Sequence, residues 1–360
     1  MSSVRENMKK ITFVIESLGY GGAERVLTEL AWYLSENGYD VTIITFKKKV
    51  QEYQLSYRIK RVNLELPENG IKKLIIGRRK LRNEIKKEET QVCIAFDILA
   101  NILLLLASPR NCEVIISERN APKQTELSIY SKILRFLLYR RTDVIVFQTE
   151  EAAKCYSERI QRKSVIIANP IKTNLPLKKN DKLNKEIVAI GRLAKQKNYE
   201  LMLLAFKDFL DKHSEYVLSI YGEGEEQDNL INLCQKLSIN NNVIFHGNCE
   251  DVHLKICNAE IFLMTSNYEG IPNALMEAMA MGFPVISTNC PSGGAKLLIN
   301  NDNVGILVDN FCPEDISLAL CSLVENPINA LKMGRTAQYV REEYSIQNIG
   351  NKWIELIENN

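Results

Sequence analysis

The sequence predicts an α/β fold made of two doubly wound, parallel-sheet domains. Short apolar runs with the length of buried strands alternate with helical segments, a pattern typical of parallel sheets covered on both faces. This alternation begins twice, near residue 11 and again near residue 186. The chain has 360 residues, which is long for one core and sufficient for two domains of roughly 170 residues. We therefore expect two Rossmann-like domains facing a central cleft.

The first domain is predicted to begin with a strand at residues 11–16. A glycine-rich turn follows it, and then an amphipathic helix at 23–35. Further strands are predicted in the apolar runs 41–46, 92–96, 113–117, 144–148 and 165–168, with helices between most of them.

The polar stretch 173–185 has no periodicity and follows Asn169-Pro170, so we expect it to link the domains. Strands of the second domain are predicted at 186–190, 217–221, 243–246, 261–265 and 284–288. The domains expected from this pattern are 1–173 and 174–343, followed by a last segment at 344–360.

Composition indicates a cytoplasmic globular protein. No secretory signal is visible at the start, and the longest apolar run, 98–107, is too short to span a bilayer. The nine cysteines include no Cys-x-x-Cys pair, which favours free thiols in a reducing compartment. With three histidines and no His-Glu-x-x-His motif, we expect no zinc site.

Charge is distributed unequally between the two halves. Residues 1–173 carry 30 Lys/Arg against 20 Asp/Glu, a net charge of +10, whereas residues 174–360 carry 16 against 24, a net charge of −8. Such an asymmetry indicates two bodies with different partners. We expect the first domain to face something anionic.

Two carboxylates, Glu269 and Glu277, are the strongest candidates for chemistry. Glu269 follows a predicted buried strand, and Glu277 lies in the next helix, which has Pro272 in its first turn and Gly282 just past its end. Ligands of open α/β sheets bind at this edge, and the N–H groups that open a helix suit a phosphate. Here those groups belong to Asn273, Ala274 and Leu275. A carboxylate beside a phosphate site favours donor-sugar chemistry, although the spacing alone fits two solvated surface glutamates equally well.

Two further strand-to-helix turns are candidate phosphate sites. The run Gly19–Glu24 is not a dinucleotide fingerprint, because Glu24 stands where the third glycine belongs. In the run 191–198, Arg192 and Lys197 are able to reach a diphosphate. The alternatives are a tight turn in the first case and two exposed surface cations in the second. No Asp-x-Asp triplet occurs, so we expect a diphosphate held by side chains and helix ends, with no metal or other cofactor.

The segment 71–87 holds eight Lys/Arg and one acidic residue, with apolar residues that partly match helical spacing. It predicts a basic amphipathic helix suited to an anionic membrane or a lipid diphosphate. A second basic and apolar segment lies at 132–141. Alternatively, each segment packs its apolar stripe on the domain and leaves its charges solvated. Few aromatic residues interleave with these charges, so nucleic acid is not expected as a partner.

These motifs together resemble those of the family 4 retaining glycosyltransferases, which have the GT-B fold. The run from Glu269 to Glu277 (Glu-Gly-Ile-Pro-Asn-Ala-Leu-Met-Glu) matches the family's two-glutamate motif. The other matching motifs occur in the family's order, and they are Gly21-Gly22-Ala-Glu, Asn169-Pro170, Gly191-Arg192 with Lys197, and Pro291-Ser-Gly-Gly294. The resemblance spans nearly the whole chain.

The resemblance implies a role for each matching residue. Glu269 contacts donor-sugar hydroxyls near the reacting carbon, and Glu277 contacts the ribose. Arg192 and Lys197 hold the diphosphate. The remaining donor contacts it implies are Gly21, Gly22, Gly222, His246, Asn248, Gly270, Asn273, Ala274 and Leu275. It also implies retention by front-face attack, in which the leaving phosphate accepts the proton and no protein base is required.

One departure from the family pattern concerns a histidine that many members place near the donor sugar. Here the corresponding stretch reads Ser117-Glu118-Arg119-Asn120, so Arg119 or Asn120 stands in its place. Arg119 is therefore a candidate donor contact, and whether it replaces the histidine functionally stays open.

Within the family, the chain is most similar to bacterial enzymes that extend lipid-linked oligosaccharides for capsule, O-antigen or N-glycan assembly. This implies a UDP-hexose or UDP-N-acetylhexosamine donor and a polyprenyl-diphosphate-linked saccharide acceptor. Residues 1–173 are then the acceptor-binding, membrane-facing domain at the inner face of the membrane, 174–343 bind the nucleotide sugar, and helix 344–360 crosses back onto the first domain. The alternatives are a UDP-sugar epimerase on the same fold and a non-catalytic, membrane-associated scaffold.

Overall fold

A computed structural model describes residues 8–68, 70–107, 111–119, 129–179, 183–309 and 311–359. The chain divides into two compact units. Unit 1 comprises Met1–Pro170 together with Ile346–Asn360, and unit 2 comprises Ile171–Ser345. Each unit is a separate α/β body, so each is described in turn.

Unit 1 is built on seven parallel strands in the order β3-β2-β1-β4-β5-β6-β7. The strands are β1 (Lys10–Ile15), β2 (Asp40–Thr45), β3 (Lys60–Asn63), β4 (Val92–Phe96), β5 (Glu113–Ser117), β6 (Val144–Phe147) and β7 (Ser164–Ile166). The helices are α1 (Gly22–Glu36), α2 (Ile71–Lys87), α3 (Ile98–Ala107), α4 (Ile129–Leu138), α5 (Glu150–Lys154) and α6 (Glu158–Gln161). The last helix of the chain, which also belongs to unit 1, is described below.

Unit 2 has six parallel strands in the order β10-β9-β8-β11-β12-β13. They are β8 (Glu186–Ile190), β9 (Val217–Tyr221), β10 (Val243–Gly247), β11 (Ile261–Met264), β12 (Val285–Thr288) and β13 (Ile306–Val308). The helices are α7 (Tyr199–Leu210), α8 (Gln227–Lys236), α9 (Val252–Lys255), α10 (Asn273–Met281), α11 (Gly294–Leu298), α12 (Pro313–Glu325), α13 (Pro327–Ala337) and α14 (Val340–Glu343). The last helix, α15 (Ile346–Asn359), returns to unit 1.

The predicted fold class, two doubly wound parallel sheets, is confirmed. Central strands such as β4 are buried along their whole length, which is why they read as continuous apolar runs. Two strands were not predicted. β3 has the sequence KRVN at a sheet edge, and β13 has only three residues, so neither carries the apolar signal of a central strand.

Core packing places α15 on unit 1. Its side chain Trp353 is fully buried and stacks on Phe96 of β4, with 5.8 Å between the ring centroids. The helix also contacts α1. Gly350 of α15 lies so close to Tyr33 of α1 that a Cβ atom on Gly350 would be 2.3 Å from the tyrosine ring. The last helix of the chain is therefore part of the hydrophobic core of unit 1.

Most of the stretch 173–185, predicted as a linker, is part of unit 2. The Lys178 and Lys179 N–H groups donate to the carbonyls of Met281 and Cys257, at 2.7 and 2.8 Å. The side chain of Leu175 is buried. Backbone hydrogen bonds hold this polar segment in place, although its sequence has no periodic pattern, and for this reason the sequence predicted a linker. Residues 180–182 of the stretch lie outside the described residues.

Helix lengths and hydropathy also bear on membrane insertion. Among the helices that the structure describes, none combines the length and the apolar character needed to cross a bilayer. The most apolar one, α3, has ten residues and is almost wholly buried against its neighbours.

Candidate active site

In unit 2 the strand order reverses between β8 and β11, and the loops after these strands meet at the carboxyl edge of the sheet. Crevices at such switch points are where open α/β sheets bind ligands. The loop after β8 carries Arg192 and Lys197, and the loop after β11 carries Glu269. Topology thus brings two motifs together that lie far apart in the sequence.

The centre of this site is an ion pair between Lys197 and Glu269. The Lys197 Nζ atom lies 2.5 Å from Glu269 Oε1, and the Glu269 side chain is buried. Ser266 Oγ donates to the same carboxylate oxygen at 2.8 Å, and Gln196 Nε2 donates to Oε2 at 3.4 Å. A buried carboxylate with one cation and two further donors is fixed in position and charge-balanced before any ligand binds.

The two loops are tied together by several more hydrogen bonds. Asn198 adopts a left-handed conformation with φ of 49°, and its carbonyl accepts from Thr265 Oγ1 at 2.9 Å. The Asn267 N–H donates to the Gln196 carbonyl at 2.8 Å, while its side-chain amide donates to the Lys195 carbonyl at 2.9 Å. These bonds hold Lys197 beside Glu269.

Close backbone contacts bring further predicted residues to this edge. A Cβ atom on Gly222 would lie 2.1 Å from the Gly191 carbonyl oxygen, and one on Gly294 would lie 1.7 Å from that of Gly270. Only glycine fits at either position. In addition, Ser292 Oγ donates to the Glu269 carbonyl. The loops after β9 and β12 therefore pack directly against the loops that carry the ion pair.

Glu277 lies in α10, whose first residues are Asn273, Ala274 and Leu275. Pro272 precedes this helix in an extended conformation, and Gly282 ends it in the left-handed conformation with φ of 91°. The Glu277 carboxylate is 2.9 Å from His253 Nε2, and both side chains are nearly buried. The N-terminus of this helix, where an anion is favoured, thus lies one turn before a second fixed carboxylate.

His246 and Asn248, two of the predicted donor contacts, lie at and just after the end of β10. The His246 ring stacks on Tyr221 with 4.3 Å between centroids, and its Nε2 atom is 3.2 Å from Ser219 Oγ. Asn248 bonds to Glu223, with its Nδ2 atom 3.0 Å from a carboxylate oxygen. The two side chains are therefore held by neighbouring strand ends.

Arg192 differs from Lys197 in its environment. Its side chain is exposed, and within the described part of the chain it makes no hydrogen bond or ion pair. Of the two predicted diphosphate-binding cations, Arg192 is unpaired among the described residues, whereas Lys197 is already paired with Glu269.

In unit 1, Gly21 and Gly22 lie at the start of α1. Gly21 is the N-cap residue, and Glu24 folds back so closely that a Cβ atom on Gly21 would be 2.3 Å from its carboxylate. Gly22 is exposed. Burial raises the pKa of Glu24. The turn therefore presents a helix start to solvent, with a partly buried carboxyl group beside it.

Arg119, just past β5, is a buried cation without a carboxylate partner among the described residues. Its Nη1 atom donates to Asn169 Oδ1 at 2.8 Å, whereas Nε and Nη2 are buried and make no hydrogen bond with described residues. The guanidinium lies over Phe96 at 4.2 Å and near Trp353 at 5.7 Å from the ring centroids. Burial lowers its pKa.

The neighbouring Glu118 does not neutralise Arg119. Its carboxylate accepts from the Tyr139 hydroxyl, and Asn101 Nδ2 donates to it at 3.5 Å. Burial raises the pKa of Glu118. Consecutive residues after β5 thus belong to two separate polar networks. Arg119, one of the two residues that stand in the place of the family histidine, carries an unbalanced charge, and the other, Asn120, lies outside the described residues.

Comparison with known proteins identifies the family. Residues 172–340 match the family model of glycosyl transferases group 1, and residues 20–175 match that of Glycosyltransferase Family 4. A glycosyltransferase of Haemophilus influenzae is 31% identical over 96% of this chain and 99% of its own length. The chain is a family 4 glycosyltransferase. Its predicted family membership is thereby confirmed.

Other relatives carry more specific names. An α-1,4-N-acetyl-D-galactosaminyltransferase of Campylobacter jejuni, named for an undecaprenyl-diphosphate-linked saccharide, is 30% identical over 97% of this glycosyltransferase and 98% of its own length. Among solved structures, Anabaena HepE in complex with UDP has a TM-score of 0.82 at 16% identity, covering 98% of this chain and 100% of that one. The structural likeness shows the fold, GT-B.

Sequence reasoning missed several residues of the site. Gln196 and Ser266 contact the Glu269 carboxylate, and His253 contacts Glu277. Gln196 lies inside a motif that was recognised, so its position was a usable signal. Ser266 and His253 are single polar residues on a strand end and a short helix, and no spacing rule marks them.

Proposed function

We propose that this glycosyltransferase moves a hexose or an N-acetylhexosamine from a UDP-sugar to a lipid-linked saccharide, with retention of anomeric configuration, in bacterial surface polysaccharide assembly. The observation that carries the donor half of this proposal is the buried Lys197–Glu269 pair at the switch point of unit 2, with the exposed Arg192 on the same loop. Names of relatives support the acceptor half, because two Campylobacter enzymes are named for diphospho-undecaprenol-linked saccharides.

On the donor, we assign Glu269 to the sugar hydroxyls and Glu277 to the ribose. The diphosphate is assigned to Arg192, to Lys197 and to the helix start at Asn273. The nucleobase is assigned to His246, Asn248 and Gly222. Gly270 is assigned to the sugar as a loop neighbour of Glu269. The contacts assigned to unit 1 are Gly21, Gly22 and Arg119.

In the proposed reaction the bond between the anomeric carbon and the β-phosphate oxygen breaks on the same face on which the acceptor oxygen bonds. The acceptor hydroxyl proton passes to the leaving phosphate oxygen, so UDP is released and no protein base is needed. Arg192 and the helix N-terminus stabilise the charge that develops on the leaving group. With cationic side chains and N–H groups in this role, the reaction is proposed to be metal-independent.

The solved complex of Anabaena HepE with UDP supports the choice of nucleotide. The first experiment is calorimetric titration of UDP, GDP, ADP and NAD⁺, in EDTA and then in Mg²⁺. We expect UDP to bind in EDTA and Arg192→Ala to weaken that binding by about 10–100-fold, since a charge-assisted hydrogen bond contributes about 1.5–3 kcal/mol. Lys195→Ala is the matched control, because Lys195 is an exposed cation on the same loop.

Binding of GDP or ADP in place of UDP would replace the proposed donor class, and binding of no nucleotide would favour the scaffold. Incubation with UDP-sugars and no acceptor separates transfer from epimerisation. An epimerised nucleotide sugar under these conditions would overturn the transferase proposal. Retention is checked by nuclear magnetic resonance of the product linkage, where an inverted anomeric centre would refute it.

The acceptor is proposed to bind unit 1 through α2. This helix exposes basic side chains along with Ile71, Ile75 and Ile76, and buries Leu81 and Ile85. A cavity of about 490 Å³ lies beside it, lined by Leu74, Ile75, Arg78, Arg79, Arg82 and Leu106. Apolar walls with three arginines suit a lipid that carries a diphosphate.

The same face is proposed to rest on the anionic inner surface of the cell membrane, with the protein peripheral and cytoplasmic. α3 contacts both α2 and α4, and α4 exposes Ile133, Phe136 and Leu137. Each basic residue near an anionic surface contributes about 1 kcal/mol. Residues 8–170 with α15 are thus proposed as the acceptor unit, and residues 171–345 as the donor unit.

Vesicle co-sedimentation tests this membrane contact. The triple reversal of Lys72, Arg78 and Arg79 to Glu is expected to abolish binding to phosphatidylglycerol vesicles. Lys73 is left unchanged, because it pairs with Glu16 at 3.4 Å. A control with the same charge change reverses the exposed Lys154, Arg159 and Arg162. Equal sedimentation of the two variants would refute α2 as the membrane contact.

A further inference from the structure

A cluster of three potential metal ligands lies in unit 2, apart from the proposed donor site. His213 follows α7, while Cys321 and Glu325 are one turn apart on α12, which packs against α7. The imidazole nitrogen, the thiol sulfur and a carboxylate oxygen all lie within 4.8 Å of one another. We propose that these three side chains bind a divalent cation of the Zn²⁺ type.

One of the three ligand distances already fits such an ion, and the other two are at most 4.8 Å. His213 Nε2 and the Glu325 carboxylate are 3.6 Å apart, beyond hydrogen-bonding distance. An ion with tetrahedral bonds of 2.0–2.3 Å separates its ligand atoms by about 3.3–3.8 Å. Among the described residues, His213 Nε2 is buried and has no hydrogen-bond partner. A bound cation would satisfy this nitrogen, which otherwise costs free energy as an unpaired buried polar atom.

The side chains around the cluster hold it in place. The His213 ring stacks on Phe209 with 4.9 Å between centroids and lies edge-on to Tyr216. Cys321 is buried, whereas the Glu325 side chain is 58% exposed and able to turn toward an ion. Lys212 is the neighbouring cation, and its flexible side chain is able to move away as the metal displaces the thiol proton.

The donor set selects the class of metal. Nitrogen, sulfur and oxygen together suit borderline divalent ions such as Zn²⁺ and Co²⁺, whereas Mg²⁺ and Ca²⁺ prefer oxygen alone. Three protein ligands leave a fourth position for water.

Position in the fold indicates a role in stability rather than in transfer. His213 precedes β9, and Glu325 ends α12, so the cluster lies at the amino edge of the sheet. The Lys197–Glu269 pair lies at the opposite, carboxyl edge. A metal here would join the loop after α7 to the end of α12, and sugar transfer would not require it.

The test uses the full chain without an affinity tag, stripped with EDTA and titrated with Zn²⁺ or Co²⁺. We expect one Zn²⁺ per chain by mass spectrometry of the desalted protein, and a thiolate-to-cobalt charge-transfer band with Co²⁺. His213→Asn, Cys321→Ser and Glu325→Gln should each lower the affinity at least tenfold. Zn²⁺ at about 100 times its Kd should raise the midpoint of thermal unfolding by about 5 °C.

The matched control is Cys312→Ser, because Cys312 also lies beside a carboxylate, that of Glu314, but without a histidine. This variant should keep both the stoichiometry and the cobalt band. Thermal unfolding in EDTA checks that each variant folds. Glu325→Gln removes an exposed ligand and should therefore leave the hydrophobic core undisturbed. Absence of bound metal in the folded wild-type protein would overturn the proposal, as would a cobalt band that survives Cys321→Ser.

Discussion

Buried charges are handled differently at the carboxyl edges of the two sheets. In unit 2 the Glu269 carboxylate is paired with Lys197, and the Glu277 carboxylate lies 2.9 Å from His253 Nε2. In unit 1, Arg119 and Asp97 are desolvated without an opposite charge beside them among the described residues. A paired site is rigid and already charge-balanced, whereas an unpaired buried charge is costly until something neutralises it. From this contrast we expect unit 2 to be preorganised for the proposed donor, and the buried charge of unit 1 to be neutralised when a ligand binds.

The largest expected effect is on Glu269, the paired carboxylate. In Glu269→Gln the charge that is proposed to orient the sugar is lost, and kcat should fall by about 100–1,000-fold. Affinity for UDP should stay the same or increase, because Lys197 is then released for the diphosphate. Steady-state kinetics and calorimetry of the same preparation measure both effects.

Glu200→Gln is the control for this prediction, because Glu200 is exposed on α7. It should leave kcat and UDP affinity unchanged. A Glu269→Gln enzyme that loses UDP affinity and kcat in equal proportion would contradict the preorganised ion pair, since the carboxylate would then serve to hold the nucleotide site together.

A smaller effect is expected for Arg119, the unpaired cation. Arg119→Met keeps an unbranched side chain beside Phe96 and removes a buried charge without leaving a buried carboxylate unpaired. Unfolding free energy should therefore change by less than about 1 kcal/mol or rise, while kcat/KM falls by about tenfold. Urea unfolding and initial-rate kinetics check the two halves separately.

The conservative variant Arg119→Lys sharpens this test, because it keeps the charge but not the planar donors. Partial recovery of kcat/KM would show that the charge meets an anion. A loss of more than about 2 kcal/mol of stability in Arg119→Met, with unchanged kinetics, would instead make Arg119 a structural residue packed on Phe96 and Trp353.

A third effect concerns Asp97, which directly follows β4. Its carboxylate accepts from the N–H groups of Ala100 and Glu16, at 2.9 and 3.3 Å, and burial raises its pKa to about 7. A carboxyl group whose folded-state pKa is raised binds a proton more tightly in the folded state. Its contribution to stability is full below pH 4 and is lost as the pH rises to about 7.

Wild type should therefore lose about 2–3 kcal/mol relative to Asp97→Asn between pH 5 and pH 8, and no more above that range. Urea unfolding of both proteins across this pH range measures the difference between their unfolding free energies. Titration of the other groups affects both proteins equally and cancels in this difference. A constant difference between the two proteins from pH 5 to pH 8 would show that Asp97 titrates normally and that its charge is solvated.

Several features followed from the sequence by itself. Buried central strands such as β4 and β8 are runs of apolar and β-branched residues that any parallel sheet requires, so their positions and the fold class were predicted. α2 was predicted with its observed bounds, because its basic residues and apolar spacing are local signals. The Glu269–Glu277 motif likewise lies within one loop and one helix.

Only the tertiary structure decided which charges meet. Lys197 and Glu269 are brought together because the strand order reverses between β8 and β11, an arrangement that no local pattern encodes. The same holds for Arg119, because the two aromatic rings that it contacts belong to Phe96 of β4 and to Trp353 of the last helix. For a related reason, the sequence did not predict the edge strands β3 and β13 or the packing of 173–179 on unit 2. Hydrogen bonds to distant backbone atoms hold these segments in place, and their own side chains give no local signal.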